Sequence, residues 1–137
     1  MAADIDWDQL RTEAVRAASR AYAPYSRFKV GAAGFTAAGG LVSGCNVENA
    51  SYGLSWCAEC SMVAAMVGSG DRSLVAVACR HGSGDLLVPC GRCRQVLFEF
   101  GGADLLVDAP GGPRPLGELL VDAFGPADLT RPSEQPA

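Results

Sequence analysis

The chain has 137 residues, 49% of them hydrophobic and 19% charged, with a formal net charge of −4. That length suits one domain with enough interior to fold without disulfide staples, and the composition excludes a disordered chain. An acidic protein gains nothing from counterion release on a phosphate backbone, so the balance argues against a polynucleotide partner and for a small molecule.

Along the chain, the start "MAADIDWDQL" is acidic and has no apolar core segment, as a secretory signal would require. No run reaches the roughly 20 apolar residues that span a bilayer. The expected compartment is therefore the cytoplasm, where six cysteines are expected as thiols or metal ligands rather than as a disulfide framework.

Residues 6–22 predict a helix, because Leu10, Ala14, Ala17 and Ala21 recur on one face. Asp6 is placed to cap it, with Gln9 placed to return the bond. Pro24 ends this segment. Residues 28–37 and 41–47 read as two strands of a hairpin turning at "AGG" (38–40). A helix is expected over 57–70, stopped by Gly68 and Gly70. "SLVAVACR" (73–80) reads as a strand buried on both faces, with "GDLLV" (84–88) as a possible pairing partner. A second helix is expected over 90–100, a strand over 104–108, and a third helix opened by Pro115 over 115–124. The proline-rich segment 126–137 is expected to be a flexible tail to a single domain over 1–125. Strands alternating with helices imply an α/β layered domain.

Two C-x-x-C motifs stand out, Cys57/Cys60 and Cys90/Cys93. Both sit where a helix begins, and free N–H groups there stabilise thiolate ligands. Two arrangements fit. Four thiolates would make a closed structural zinc site; three would leave an open position for water. Glu59, between the first two cysteines, favours the open site, since a carboxylate there can move protons for the water. Cys45 and Cys79, inside apolar runs, read as small buried hydrophobes. The only histidine, His81, precedes "GSG" and reads as a loop residue.

"CAE" (57–59) with "PCGRC" (89–93), in order with "FKVGAA" (28–33), "GCNVENASYG" (44–53), "RCRQVLFEF" (92–100) and "LLVDAFG" (119–125), resembles the small homotetrameric cytidine deaminases from about Asp6 to Gly125. The resemblance implies a three-layer α/β/α sandwich with a central mixed sheet and one Zn²⁺ per chain. The implied reaction is hydrolytic deamination of cytidine and 2′-deoxycytidine to uridine and 2′-deoxyuridine with release of ammonia, a step of pyrimidine salvage.

By the same resemblance, Cys57, Cys90 and Cys93 match the zinc ligands and Glu59 the general acid/base. Asn46 and Glu48 match the residues that hold the sugar hydroxyls. The Ala58 N–H and the Val88 carbonyl match groups that read the base, and Phe28 lines the base pocket. Phe124 and Tyr52 match residues at sites shared between subunits of a homotetramer. Arg94 matches an arginine that drains charge from the thiolates. Two departures stand out: Cys60 replaces the arginine usual after the glutamate, and Val121 replaces a common proline. Cys60 is then either a packed thiol, the favoured reading, or a fourth ligand. Three other functions compete: deamination of another cytosine nucleoside such as blasticidin S, editing of a polynucleotide, and a non-enzymatic zinc knuckle.

Overall fold

A computed structural model describes residues 4–130. In chain order it contains α1 (Trp7–Ala18), β1 (Val30–Thr36), β2 (Leu41–Cys45), α2 (Ala58–Gly68), β3 (Leu74–His81), β4 (Leu86–Leu87), α3 (Gly91–Gly101), β5 (Leu106–Val107), β6 (Arg114–Pro115) and α4 (Leu116–Leu119). Short 3₁₀ turns occupy Tyr52–Leu54 and Pro126–Thr130. The latter opens the segment expected as a tail, and residues 131–137 lie outside the described residues.

The six strands form one mixed sheet in the order β2-β1-β3-β5-β6, with β4 on the far end of β3. The β1–β2 hairpin is antiparallel and turns over 38–40, as its glycines predict. Only β3 and β5 run parallel, because α3 carries the chain back between them.

Helices cover both faces. Alternate residues of β1 and β3 serve opposite layers, although nearly all are buried. Ala33, Ala76 and Ala78 pack on Leu10 and Ala14 of α1. Ala32, Val77 and Cys79 pack on Met62 and Met66 of α2 and Leu97 of α3. The architecture is therefore the expected α/β/α sandwich. Burying large side chains such as Met62, Met66 and Leu97 contributes roughly 2 kcal/mol each. Two glycines set the helix-to-sheet distance. A Cβ on Gly31 would lie 1.8 Å from the Ala14 carbonyl oxygen, and one on Gly44 would lie 2.4 Å from the Met62 nitrogen. Gly44 thus lets α2, with Glu59 in its first turn, lie directly on β2.

Three expectations shift. The first helix stops at Ala18, not residue 22, because the backbone of Tyr22 pairs with the strand extension at 46–48: Tyr22 N–H donates to Asn46 O at 3.0 Å, and Glu48 N–H to Tyr22 O at 2.8 Å. The helix expected over 115–124 is a single turn, Leu116–Leu119. Arg114 and Pro115 are instead held as a strand against β5, Arg94 takes the carbonyl of Leu119 at 2.8 Å, and Asp122 adopts a left-handed φ of 52° that no helix continues. His81 is not a loop residue but closes β3, opposite Val30. The Asp6 cap is present, its carboxylate accepting from Gln9 N–H at 3.0 Å.

Candidate active site

Two helix starts build the centre of the site. Cys57 is the N-cap of α2, Cys90 the N-cap of α3, and neither side chain caps its own helix. Cys93 lies one turn into α3, fully buried. The three sulfurs all fall within 4.8 Å of one another. Cys60 is outside this group and half-buried on α2.

Protons are unequally shared among the three thiols. Burial pushes Cys57 up, more than its bond with Cys93 lowers it. Burial and then the charge of Glu59 push Cys93 far up. Burial also raises Cys90, but hydrogen bonds from the Cys93 N–H and from the Cys93 and Cys57 thiols bring it below the ordinary range.

The trio fits zinc. Tetrahedral zinc binds thiolate sulfur at about 2.3 Å, which sets its ligands about 3.8 Å from each other, a spacing that three sulfurs already within 4.8 Å can adopt with small shifts. Two helix N-termini supply the positive potential that three thiolates need. Three ligands, not four, leave one position free.

Glu59 is 5% exposed and sits in the first turn of α2. Its Oε2 accepts from the thiol of Cys79 at 3.3 Å. The Cys79 thiol is pushed well up by burial and by the Glu59 charge, so it remains a donor. This partner was not foreseen: Cys79 is buried as expected, but nothing in "SLVAVACR" says which group it meets.

A cleft of about 710 Å³ opens onto this centre. Of the residues expected to bind substrate, Phe28, Asn46, Glu48, Tyr52, Ala58 and Val88 all line it, together with Cys57, Glu59 and Cys90. Tyr25, Ser26, Trp56 and Arg92 also line it and were not foreseen. The ring of Phe28 is tilted on that of His81 with centroids 4.6 Å apart. Asn46 straddles the backbone: its amide donates to Phe28 O at 2.8 Å, and its oxygen accepts from Val30 N–H at 2.9 Å. Glu48 accepts from Tyr25 N–H at 2.9 Å, from Ser26 N–H at 3.1 Å, and from the Ser26 hydroxyl. The hydroxyl, more than the two N–H groups, holds the Glu48 carboxyl below its usual range.

Arg94 and Phe124 do not line this cleft. Arg94 hydrogen-bonds no cysteine sulfur among the described residues. Its Nε donates to Pro89 O at 2.8 Å and its Nη1 to Leu119 O at 2.8 Å, so it braces the loop just before Cys90. Phe124 is exposed and does not line the cleft of its own chain. Its carbonyl accepts from Gln95 Nε2 at 2.8 Å.

Known proteins resemble this chain over most of its length. The family described as "Cytidine and deoxycytidylate deaminase zinc-binding region" matches residues 6–108. The cytidine deaminase of Mycobacterium tuberculosis is 58% identical over 128 residues, covering 93% of this chain and 96% of that protein. That of Halalkalibacterium halodurans is 39% identical over 126 residues, covering 92% and 96%. The crystal structure of the Mycobacterium tuberculosis cytidine deaminase superposes with a TM-score of 0.88 at 58% identity, covering 89% of this chain and 99% of that one. The corresponding structure from Mycobacterium leprae gives 0.85 at 53% identity, covering 87% and 100%. With its three-sulfur cluster beside a buried glutamate and a match of this extent, the chain belongs to the cytidine and deoxycytidylate deaminase family of zinc-binding enzymes.

Proposed function

We propose that this protein catalyses hydrolytic deamination of cytidine and 2′-deoxycytidine to uridine and 2′-deoxyuridine, one water consumed and one ammonia released per turnover, in cytoplasmic pyrimidine salvage. The observation that carries the reading is the buried Glu59 carboxylate beside the Cys57/Cys90/Cys93 cluster, with Glu59, Cys57 and Cys90 lining a cleft roomy enough for a nucleoside. Those three cysteines would hold the zinc ion, which would supply a water acidified toward neutral pH.

Glu59 accepts a proton from the attacking water and gives one to ring N3, then conveys a proton to the departing amine. The Ala58 N–H, at the start of α2, holds the pyrimidine carbonyl. The Val88 carbonyl accepts from the exocyclic amine that marks cytosine. Phe28 lies against the base, while Asn46 and Glu48 hold the sugar hydroxyls. Arg94 keeps Pro89 and Cys90 in place through the Pro89 carbonyl.

A homotetramer with shared sites is part of the proposal. Tyr52 is 74% exposed, Phe124 61% and Leu129 73%. Trp56, Leu54 and Val121 are also exposed, and contacts between subunits are what would cover such side chains. Among the described residues no helix is long and apolar enough to cross a membrane. The working unit is one domain over residues 1–125, with 126–137 as its tail.

The test is ultraviolet absorbance of cytidine and deoxycytidine with the zinc-loaded protein and its Glu59→Gln variant, with zinc measured on both. Wild type is expected to turn over both substrates, and the variant to bind zinc but lose at least about 100-fold in kcat. A zinc-loaded wild type inert on both nucleosides overturns the reaction; full activity in the variant overturns the role of Glu59.

A further inference from the structure

The loop that carries Phe28 is held in a strained turn by the residues assigned to the sugar. Arg27, between Ser26 and Phe28, has φ 58°, in the left-handed region that is unfavourable for a non-glycine residue. Such a conformation persists only where its surroundings over-determine it, and here they do. The Glu48 carboxylate takes the N–H groups of Tyr25 and Ser26 and the Ser26 hydroxyl. The same hydroxyl oxygen accepts from Phe28 N–H at 3.0 Å. Asn46 takes the Phe28 carbonyl from the other side. Both polar groups of the Phe28 backbone are thus tied, directly or through one hydroxyl, to Asn46 and Glu48.

We infer that the Ser26 hydroxyl is a positioning residue for nucleoside binding: by joining Glu48 Oε2 to Phe28 N–H, it aims the carboxylate at the sugar 3′-hydroxyl and fixes the aromatic ring under the base. A serine hydroxyl has one proton to give and lone pairs to accept. Its proton goes to Glu48 and a lone pair takes the Phe28 N–H, which is the full use the turn can make of it. A carboxylate accepts about four hydrogen bonds. Three are filled from within the chain, so one direction remains for a ligand hydroxyl. The ligand class is a cytosine nucleoside that bears a 3′-hydroxyl. This inference rests on the proposed role of Glu48 at the sugar.

The experiment compares KM and kcat of the zinc-loaded wild type, Ser26→Ala, Ser26→Thr and Glu48→Gln, each on cytidine and on 2′,3′-dideoxycytidine, which lacks the hydroxyl in question. Ser26→Ala is expected to raise KM for cytidine roughly tenfold, as for loss of a hydrogen bond to a charged group, with kcat within about twofold. On the dideoxy substrate its effect is expected to be at least about threefold smaller, and Ser26→Thr, which keeps the hydroxyl, recovers most of the loss on cytidine. Thermal midpoints recorded alongside identify any variant that fails to fold, and Ser26→Thr against wild type then carries the comparison. Equal penalties on the two substrates, or no penalty on cytidine, overturn the role of Ser26. If Glu48→Gln penalises both substrates alike, the sugar role of Glu48 itself falls; if Glu48→Gln discriminates and Ser26→Ala does not, only the positioning role falls.

Discussion

The thiol of Cys79 on β3 donates to Glu59 Oε2 on α2 at 3.3 Å, with both groups buried. Pairing with Ala32 and Leu87 fixes Cys79 in the sheet, so the sheet itself holds one oxygen of the proposed proton carrier. The other oxygen is left for chemistry. Replacing Cys79 with valine keeps an apolar side chain of similar bulk and removes the donor. The expected outcome is a fivefold to tenfold fall in kcat, from loss of about 1 kcal/mol, with KM and zinc content unchanged. Cys79→Ser, which retains a donor, should recover most of the rate. Steady-state kinetics check this; an unaltered kcat in Cys79→Val removes the contact from catalysis.

Cys60 lies outside the three-sulfur cluster, which agrees with a packed thiol and not with a fourth ligand. Cys60→Ala should therefore retain one zinc per chain by atomic absorption. Cys60→Arg places a cation near three thiolates and should keep turnover at or above the wild-type value. Zinc loss in Cys60→Ala would restore the closed-site reading.

Asp108 ties α1 to the sheet away from the cleft. Its carboxylate, 2% exposed, accepts from Arg80 Nη2 at 2.6 Å and from Arg11 Nη2 at 3.0 Å. Burial raises its pKa, but the Arg11 and Arg80 hydrogen bonds lower it further, leaving it below the usual carboxylate range. A group whose folded pKa is depressed adds stability above its unfolded pKa of about 4, and that stability is lost as pH falls through the folded value. Asp108→Asn should cost about 3 kcal/mol at pH 7, by leaving Arg80 half-compensated in the interior. The gap to wild type should narrow below about pH 4. Denaturant unfolding from pH 3 to 7 measures it, and a pH-independent gap contradicts the account.

Phe124 sits on an exposed segment pinned by Gln95 and by Gly125, whose α-carbon lies so close to Phe98 that an added Cβ would fall 2.6 Å from its ring. If the segment completes a neighbour's site, Phe124→Ala raises KM for cytidine by roughly tenfold, as truncation of a buried interface aromatic commonly does, while kcat changes little. Sedimentation should give a tetramer for wild type. A monomer with unimpaired kinetics, or unchanged KM in Phe124→Ala, removes the shared site.

The elements with strong local signals were legible from the chain. The hairpin at 38–40, the buried strand after Ser73 and the helices after Cys57 and Cys90 occur within a few residues of where periodicity and glycines place them. The errors have a common cause. Tyr22 and Pro115 read as helix because their own neighbours favour it, yet distant backbone pairs with them instead. Arg94 was legible as a cation near the cysteines, but not that its guanidinium would go to the Pro89 and Leu119 carbonyls.

By itself the sequence determined the chemistry that proximity along the chain can impose: thiols at two helix starts, where N–H groups favour thiolates, and a glutamate two residues from one of them. Only the tertiary structure decided that Cys60 stays outside the cluster the other three cysteines form, that Cys79 holds Glu59, and that Ser26 joins Glu48 to Phe28. The reason is geometric. A helix start is specified by a few neighbouring residues, whereas a contact between β3 and α2, or between residues 26 and 48, depends on the path of everything packed between them.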